Sequence, residues 1–406
     1  MAQRRHINRR SFLARTMAVS LAAPVVVRST AFGANDQITA GILGRGGPAG
    51  GGGGGTRTIA VCDVRDDKLA SLKGNKDITI YRDFREMLAR DDIDAVFIGT
   101  PDHWHALAAI RSAQAGKDIY CEKPMSLTIR EARAMVNAVR RYARVFQTGS
   151  QQRSENDGKF RFATEMVRSG RIGRVKTVHV NVGGPSGECY LPPVPVPPTL
   201  DWEMWLGPAP WRPFHPRIGL SGSWRDYRDY SGGGMTDWGH HHFDIVQWAL
   251  DKDTSGPRAV FPPDGKDFRL LTYLYDVDGE EVQVTHGGAS GAQIEFIGTE
   301  GRVMVDRGTL KTDPPSIMST PTGPDEVQLL HSPGHKQNWA DCIRTRERPI
   351  CDVEIGCRSV TVCHLGNIAY WLKRPIKWDP VKEEILDDPE AARWLDRPKR
   401  APWHLA

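Results

Sequence analysis

A carboxylate and an ammonium share one strand end in Asp118-Ile119-Tyr120-Cys121-Glu122-Lys123-Pro124. A residue before proline is kept out of the helical region, so Lys123 is expected extended at the strand tip, aimed outward rather than wound into the next helix. Held there, it can grip a substrate hydroxyl. Taken alone, the tripeptide also fits a solvated Glu-Lys pair at an ordinary strand end. The stretch Gly232-Gly233-Gly234-Met235-Thr236-Asp237-Trp238-Gly239-His240-His241-His242-Phe243-Asp244 supplies a base. After the glycines it reads as a helix, on which Asp237 and His241, four apart, share a face. A carboxylate beside an imidazole raises its proton affinity and fixes its orientation, as a general base near neutral pH requires. The other reading is a helix with buried, hydrogen-bonded histidines. Three adjacent histidines on a helix point about 100° apart and cannot converge on one ion, so no metal is expected. Trp224-Arg225, just ahead of the glycines, are candidates to line the same site, with packing the alternative use of the tryptophan.

The elements that must position these groups alternate. Ile93 to Pro101 is a short apolar run bounded by turn residues, Trp104 to Ala115 and Leu127 to Tyr142 have helical spacing, and Val145 to Gly149 is again strand-like. That alternation implies parallel βαβ units with right-handed crossovers, whose strands end at the carboxyl edge where such folds place their chemistry. Upstream, Ile38 to Leu43 is a first strand, Gly44-Arg45-Gly46-Gly47-Pro48-Ala49 fits G-x-G-x-x-G/A, and Thr58 to Asp63 is a second strand ending in an acid. The glycines let the backbone approach a pyrophosphate, and Asp63 is placed for a ribose 2′-hydroxyl, which points to NAD, while Arg45 leaves NADP open. Gly50 to Gly55 are six consecutive glycines where the fingerprint's helix belongs. At roughly 1 kcal/mol per helical glycine, that helix is expected to be very short or absent, and a glycine loop without a ligand is the competing reading.

With these motifs in hand, the chain resembles the Gfo/Idh/MocA family, which includes glucose-fructose oxidoreductase and inositol dehydrogenases. The likeness runs from about Ile38 to the C-terminus and is closest to an exported bacterial branch. Thr100-Pro101-Asp102-His103-Trp104-His105, Gln147 to Arg153, Trp202 to Trp211, Gly291 to Asp306 and Trp378-Asp379-Pro380 carry it. The resemblance implies an α/β protein: an N-terminal Rossmann domain, 35–152, then a C-terminal α+β domain, 153–406, on a large, mostly antiparallel sheet. It also implies that Lys123 binds and polarises the reacting hydroxyl, His241 takes its proton, and Asp237 helps hold substrate and base. Gly44, Arg45, Gly46 and Asp63 would hold the cofactor, with Thr100, Pro101, His105, Glu122 and Lys123 towards its nicotinamide end. Arg153, Trp224 and Arg225 join Lys123, Asp237 and His241 as substrate residues.

Residues 1–34 read as a leader: Asn8-Arg9-Arg10-Ser11-Phe12-Leu13, an apolar stretch from Thr16 to Val27, then Ser29-Thr30-Ala31. This resembles a twin-arginine export signal, which makes the export machinery a partner and the periplasm the expected location. Its removal takes away six arginines and no acid, moving the formal charge from +5 to −1. The basic character belongs to the leader, so no nucleic-acid partner is expected. No apolar run after the leader is long enough to span a bilayer. Seven cysteines without a C-x-x-C look like buried thiols rather than a disulfide framework. Leu191 to Pro198 is too proline-rich for a helix or central strand, Phe268 to Tyr275 and Glu280 to His286 read as strands paired across Asp278-Gly279, and Trp378 opens a tail rich in proline and charge. Gln337 to Arg346 and Ile355 to Leu372 have helical spacing and are expected to cover the sheet or return to the Rossmann domain.

Removing hydride from a secondary alcohol needs a base, a cation beside the developing alkoxide and a positioned nicotinamide, and this chain offers a candidate for each. Outside the cytoplasm there is no free nicotinamide pool, so the expectation is a tightly held cofactor, loaded before export. The substrate is expected to be a sugar, glycoside or polyol, and the protein a homo-oligomer. The alternative is an NAD-dependent glycosidase or lyase that oxidises transiently with no net redox change.

Overall fold

The computed structural model describes residues 37–45, 52–290 and 293–405. The predicted leader, Gly46 and the first two glycines of the run lie outside them. Six strands form a parallel sheet: β1 (Thr39–Leu43), β2 (Arg57–Cys62), β3 (Thr79–Tyr81), β4 (Ala95–Ile98), β5 (Asp118–Cys121) and β6 (Phe146–Thr148), in the order 3-2-1-4-5-6. This is the doubly wound dinucleotide order. Helices α1 (Asp102–Gln114) and α2 (Ile129–Arg141) cover one face, where Val96, Ile98, Ile119 and Cys121 point. Thr128 fixes the start of α2, its hydroxyl accepting the Glu131 N–H at 3.2 Å while Glu131 Oε2 accepts that of Leu127 at 3.0 Å.

Nine strands form the second sheet: β7 (Val175–Val180), β8 (Ala259–Phe261), β9 (Leu271–Val277), β10 (Glu280–His286), β11 (Ile294–Gly298), β12 (Arg302–Val305), β13 (Leu310–Asp313), β14 (Ile376–Asp379) and β15 (Glu384–Leu386). Their order is 13-12-11-7-10-9-8-14-15, and only β7 and β10 run parallel. The Asp278-Gly279 hairpin is as read, both residues having φ near +50 to +80°, the geometry that selects Asp-Gly. Trp378 departs from the sequence reading. It does not open an irregular tail but lies in β14, which extends the sheet between β8 and β15. Helices α3 (Lys159–Arg168), α4 (Gly239–Ala249) and α6 (Val353–Leu372) pack on this sheet through one apolar core. The start of α6 reaches the first domain, where Val353, Cys357 and Val360 join the core under α2.

The residues described between β1 and β2 contain no helix, consistent with the cost of helical glycine. The face of the parallel sheet away from α1 and α2 is covered by α5 (His335–Thr345), some 280 residues downstream in sequence from β1 to β2. Trp339, Ala340, Cys342 and Ile343 pack there on Ile42, Ala95, Phe97 and Tyr120, with the Trp339 ring 4.9 Å from that of Phe97. The start of α5 is pinned to β6, since Gln147 Nε2 donates to the His335 carbonyl and the His335 ring lies 2.8 Å from the Thr148 carbonyl. The glycine run wraps it. A Cβ on Gly54 would lie 2.3 Å from the Lys336 carbonyl, and Lys336 Nζ donates to the Gly52 carbonyl at 2.7 Å. Trp339→Ala is expected to cost about 3–5 kcal/mol, the range for emptying a large aromatic site in a core. Chemical denaturation of the purified protein reads it, and a loss under about 1 kcal/mol would show that α5 is not holding this face.

Candidate active site

The carboxyl edge of the parallel sheet opens into one cleft lined by the turns after β1, β2, β4 and β5. Gly44 ends β1 at φ +80°, and a Cβ there would sit 2.7 Å from the Thr100 backbone nitrogen, so only glycine lets these turns approach so closely. Asp63, at the tip of β2, accepts the backbone N–H groups of Arg45 at 2.8 Å and Arg65 at 3.0 Å. Burial raises the pKa of its carboxyl despite those donors. The Arg45 guanidinium is turned aside, donating to the Lys68 carbonyl and the Ser71 hydroxyl at 2.6 and 2.7 Å. Thr100 Oγ1 and Glu122 Oε1 are buried with no hydrogen-bonding partner among the described residues. Such atoms in a cleft wall are free to take a ligand's hydroxyl or amide. Burial pushes Glu122 up to about 7. The two nitrogens of His105 face the Pro124 and Thr100 carbonyls at 2.7 and 2.8 Å, which places the ring between the β4 and β5 turns; burial pushes it down to about 4 although both carbonyls favour the charged form. A glycine turn with no room for a Cβ, a carboxylate at the tip of the second strand and unpaired polar atoms beyond it fit a nicotinamide dinucleotide.

Beyond Glu122, the Lys123–Pro124 peptide is cis and the Lys123 ammonium meets the second domain. Its Nζ donates to Asp237 Oδ1 at 2.6 Å and to the Asp237 carbonyl at 2.9 Å. An ammonium has three protons, so one is left for a substrate oxygen. Arg225, stacked 4.2 Å over Trp224, approaches the same Asp237 oxygen at 3.3 Å. Asp237 ends a single helical turn, Gly234–Asp237, and α4 begins at Gly239. His241 is 3% exposed and its Nδ1 is buried without a hydrogen-bonding partner among the described residues. Burial first, then the charges of Lys123 and Arg307, hold its imidazole well below the usual range, so it is neutral at pH 7.

This corrects one inference from spacing. Asp237 does not raise the proton affinity of His241; its carboxylate is taken up by Lys123 and Arg225. Asp244 is taken up as well, by Arg153 Nε at 2.8 Å and by the Ser359 hydroxyl at 2.8 Å. The neighbouring histidines have separate contacts, His240 Nδ1 with the Met125 N–H and His242 with Gln293.

An oxidoreductase-family model described as an NAD-binding Rossmann fold matches residues 47–150, and a second, described as the C-terminal alpha/beta domain of that family, matches residues 177–405, more than half of the chain. The chain belongs to the Gfo/Idh/MocA oxidoreductase family. Among curated relatives of this Gfo/Idh/MocA protein, 2,7-anhydro-N-acetylneuraminate hydratase of Mediterraneibacter gnavus is 23% identical over 277 residues, 64% of either chain. Myo-inositol 2-dehydrogenase of Thermotoga maritima is 28% identical over 144 residues, 35% of this chain and 40% of the dehydrogenase. These matches thus span less than two thirds of the relatives' own length. Among solved structures, aldose-aldose oxidoreductase of Caulobacter crescentus with glycerol has a TM-score of 0.58 at 20% identity, over 84% of this chain and 100% of that one. The likeness shows the fold.

Of the residues expected to act in this Gfo/Idh/MocA chain, Gly44, Asp63, Thr100, Pro101, His105, Glu122, Lys123, Trp224 and Arg225 line the one cleft. Asp237 joins through its contacts with Lys123 and Arg225, whereas His241 lies outside the lining. Arg153 is elsewhere. Its side chain is 1% exposed, bonded to Asp244 and Asp253 and lying 4.8 Å from the Trp248 ring, so the structure spends it on an internal ion pair rather than on the cleft where a substrate contact was expected. Asp102 was not singled out from sequence, yet it lines the cleft, accepts the Ser231 hydroxyl at 2.6 Å and is pushed up to about 7 by burial. Its place at the first turn of a helix after a strand was the available signal.

Proposed function

We propose that the protein is an NAD(P)-dependent oxidoreductase that removes hydride from a secondary hydroxyl of a sugar, glycoside or polyol. The observation that carries this is the Lys123–Asp237 pair, beside Glu122 where Lys123 lines the cleft, with one ammonium proton uncommitted. When bound, the nicotinamide supplies the hydride acceptor. Lys123 orients the substrate hydroxyl and offsets charge as the alkoxide develops. Asp237 holds the ammonium in place through two of its protons, and Arg225 braces Asp237 from the Trp224 face. His241, neutral, takes the hydroxyl proton. Its low proton affinity favours that transfer only once the carbon–oxygen double bond is forming, which ties proton loss to hydride loss.

Asp63 favours NAD, because two ribose hydroxyls suit its carboxylate and a 2′-phosphate would be repelled by it. Asp63→Ala is expected to weaken NAD binding about 10- to 100-fold, the value of hydrogen bonds to a charged group, read by titration calorimetry. Unchanged affinity would remove Asp63 from the site. Export through a twin-arginine signal, with the cofactor held tightly and the chain assembled as a homo-oligomer, completes the proposal. The leader's basic, apolar and small-residue order supports the export part, with no nucleic-acid partner and no membrane insertion once it is cleaved. Among the described residues no helix is long and apolar enough to cross a membrane.

The experiment is to purify the chain from Ile38 onward, denature it, and measure released nicotinamide nucleotide per protein by mass spectrometry. Near-stoichiometric nucleotide supports a retained cofactor; none, with none bound on addition, ends the oxidoreductase reading. A second reading is favoured by the relative named a hydratase: transient oxidation at the same site, then elimination or water addition, with no net redox change. Release of a free aglycone from an aryl glycoside would select it.

A further inference from the structure

The turn between β12 and β13 carries an arginine outside the nucleotide cleft that has so far entered only through its charge on His241. Asp306 Oδ1 accepts the backbone N–H groups of Gly308 at 2.8 Å and Thr309 at 2.6 Å, which stiffens the turn. The turn holds the Arg307 guanidinium 4.8 Å from the centre of the Trp238 ring. Trp238 stands between Asp237 and His241 in sequence, its ring 6.0 Å from that of His241, and it is 41% exposed. Arg307 lies over one face of this ring beside the proton acceptor, and the part of the ring left exposed offers contact area to a sugar. Arg307 is exposed, and among the described residues no carboxylate lies within ion-pair distance of it.

The contrast with its neighbours is the informative part. Arg225 is paired with Asp237, Arg153 with Asp244 and Asp253, and Arg302, five residues before Arg307, with Asp313 at 2.7 Å. Two acids lie near Arg307. Asp306 spends one oxygen on the turn, and Glu155 feels the arginine's charge without forming a pair. A guanidinium laid on an aromatic face keeps the edge of its planar fork open, the edge that binds a carboxylate through two parallel hydrogen bonds. We propose that Arg307, held on Trp238, is a specificity-determining residue that binds a carboxylate on the substrate, so that acidic sugars are preferred over neutral ones. This rests on the reading of the Lys123 and His241 site as a sugar oxidoreductase.

The test uses the cofactor-loaded mature protein with D-glucuronate, D-galacturonate and D-mannuronate, each beside its methyl ester, which keeps the ring and removes the charge. Binding is read by calorimetry and turnover by the absorbance of the bound nucleotide. At least one acid is expected to bind about tenfold or more tighter than its ester. In calorimetry Arg307→Gln should weaken binding of the acid about 10- to 100-fold and leave binding of the ester unchanged, with Arg307→Lys recovering part of the loss. Equal affinity for every acid and its ester, no binding of any acid, or an Arg307→Gln variant that binds the acid like the parent would overturn the proposal. Charge-dependent binding that needs Arg307 with no change in the nucleotide would sustain it while removing the oxidoreductase reading, so the two fail separately.

Discussion

Lys123→Met is expected to lower kcat by about 10³-fold, which corresponds to about 4 kcal/mol of barrier, while the nucleotide released on denaturation stays near the wild-type level. Methionine keeps the length and apolar stem of the side chain and deletes the ammonium, so the loss reads the charge rather than the shape. Two effects then separate. The substrate hydroxyl loses the third proton of Nζ, and Asp237 loses the two bonds at 2.6 and 2.9 Å that hold it, leaving Arg225 at 3.3 Å as its ion-pair partner. A half-buried carboxylate stripped of its cation costs stability, and Lys123→Met with Asp237→Asn together should recover that stability without recovering turnover. A Lys123→Met enzyme within tenfold of the parent kcat would mean the cation at the alkoxide is another group, with Arg225 the next candidate.

What could be read from the sequence was local pattern. The strand and helix alternation set the parallel sheet and its nucleotide edge, and the apolar strands fell within a few residues of their predicted bounds, because period and turn chemistry are properties of neighbouring residues. The partners of charged groups were not legible. Asp237 and His241 share a helical spacing, yet the carboxylate turned to Lys123, 114 residues away, since an ammonium at 2.6 Å outweighs a neutral imidazole. Arg153 stands in a polar motif that resembles a substrate contact, but Asp244 and Asp253 close on it in the fold. The covering of the parallel sheet by α5 was equally hidden. The spacing from Gln337 to Arg346 shows an apolar face without saying which of two sheets it meets. The glycine run gives the physical reason for its role, since a stretch that cannot hold a helix leaves that face of β1 and β4 to be buried by another part of the chain. Short strands such as β14 and β15, four and three residues long, carry too little pattern to stand out from a charged tail.

His241→Ala is expected to reduce turnover by about 10²- to 10⁴-fold, the range for removing a positioned proton acceptor, and the shape of the pH profile is what assigns the role. In the folded protein the imidazole is pushed well below 6.5 by burial and by Lys123 and Arg307, so the neutral, accepting form persists as pH falls through the range where an ordinary histidine charges. The acid limb of kcat due to His241 therefore lies below pH 6.5. The same depression means that protonation favours the unfolded chain, so this group's contribution to stability is full above about 6.5 and falls as acid is added below that. An inflection near 7 belongs instead to Glu122 and Asp102, whose buried carboxyls titrate at about 7, and it should survive in the residual activity of the His241→Ala enzyme. A variant that keeps near-parent turnover, or one that keeps the acid limb below 6.5, would take the proton-accepting role away from His241 and give Asp102, already facing the cleft on Ser231, the stronger claim to it.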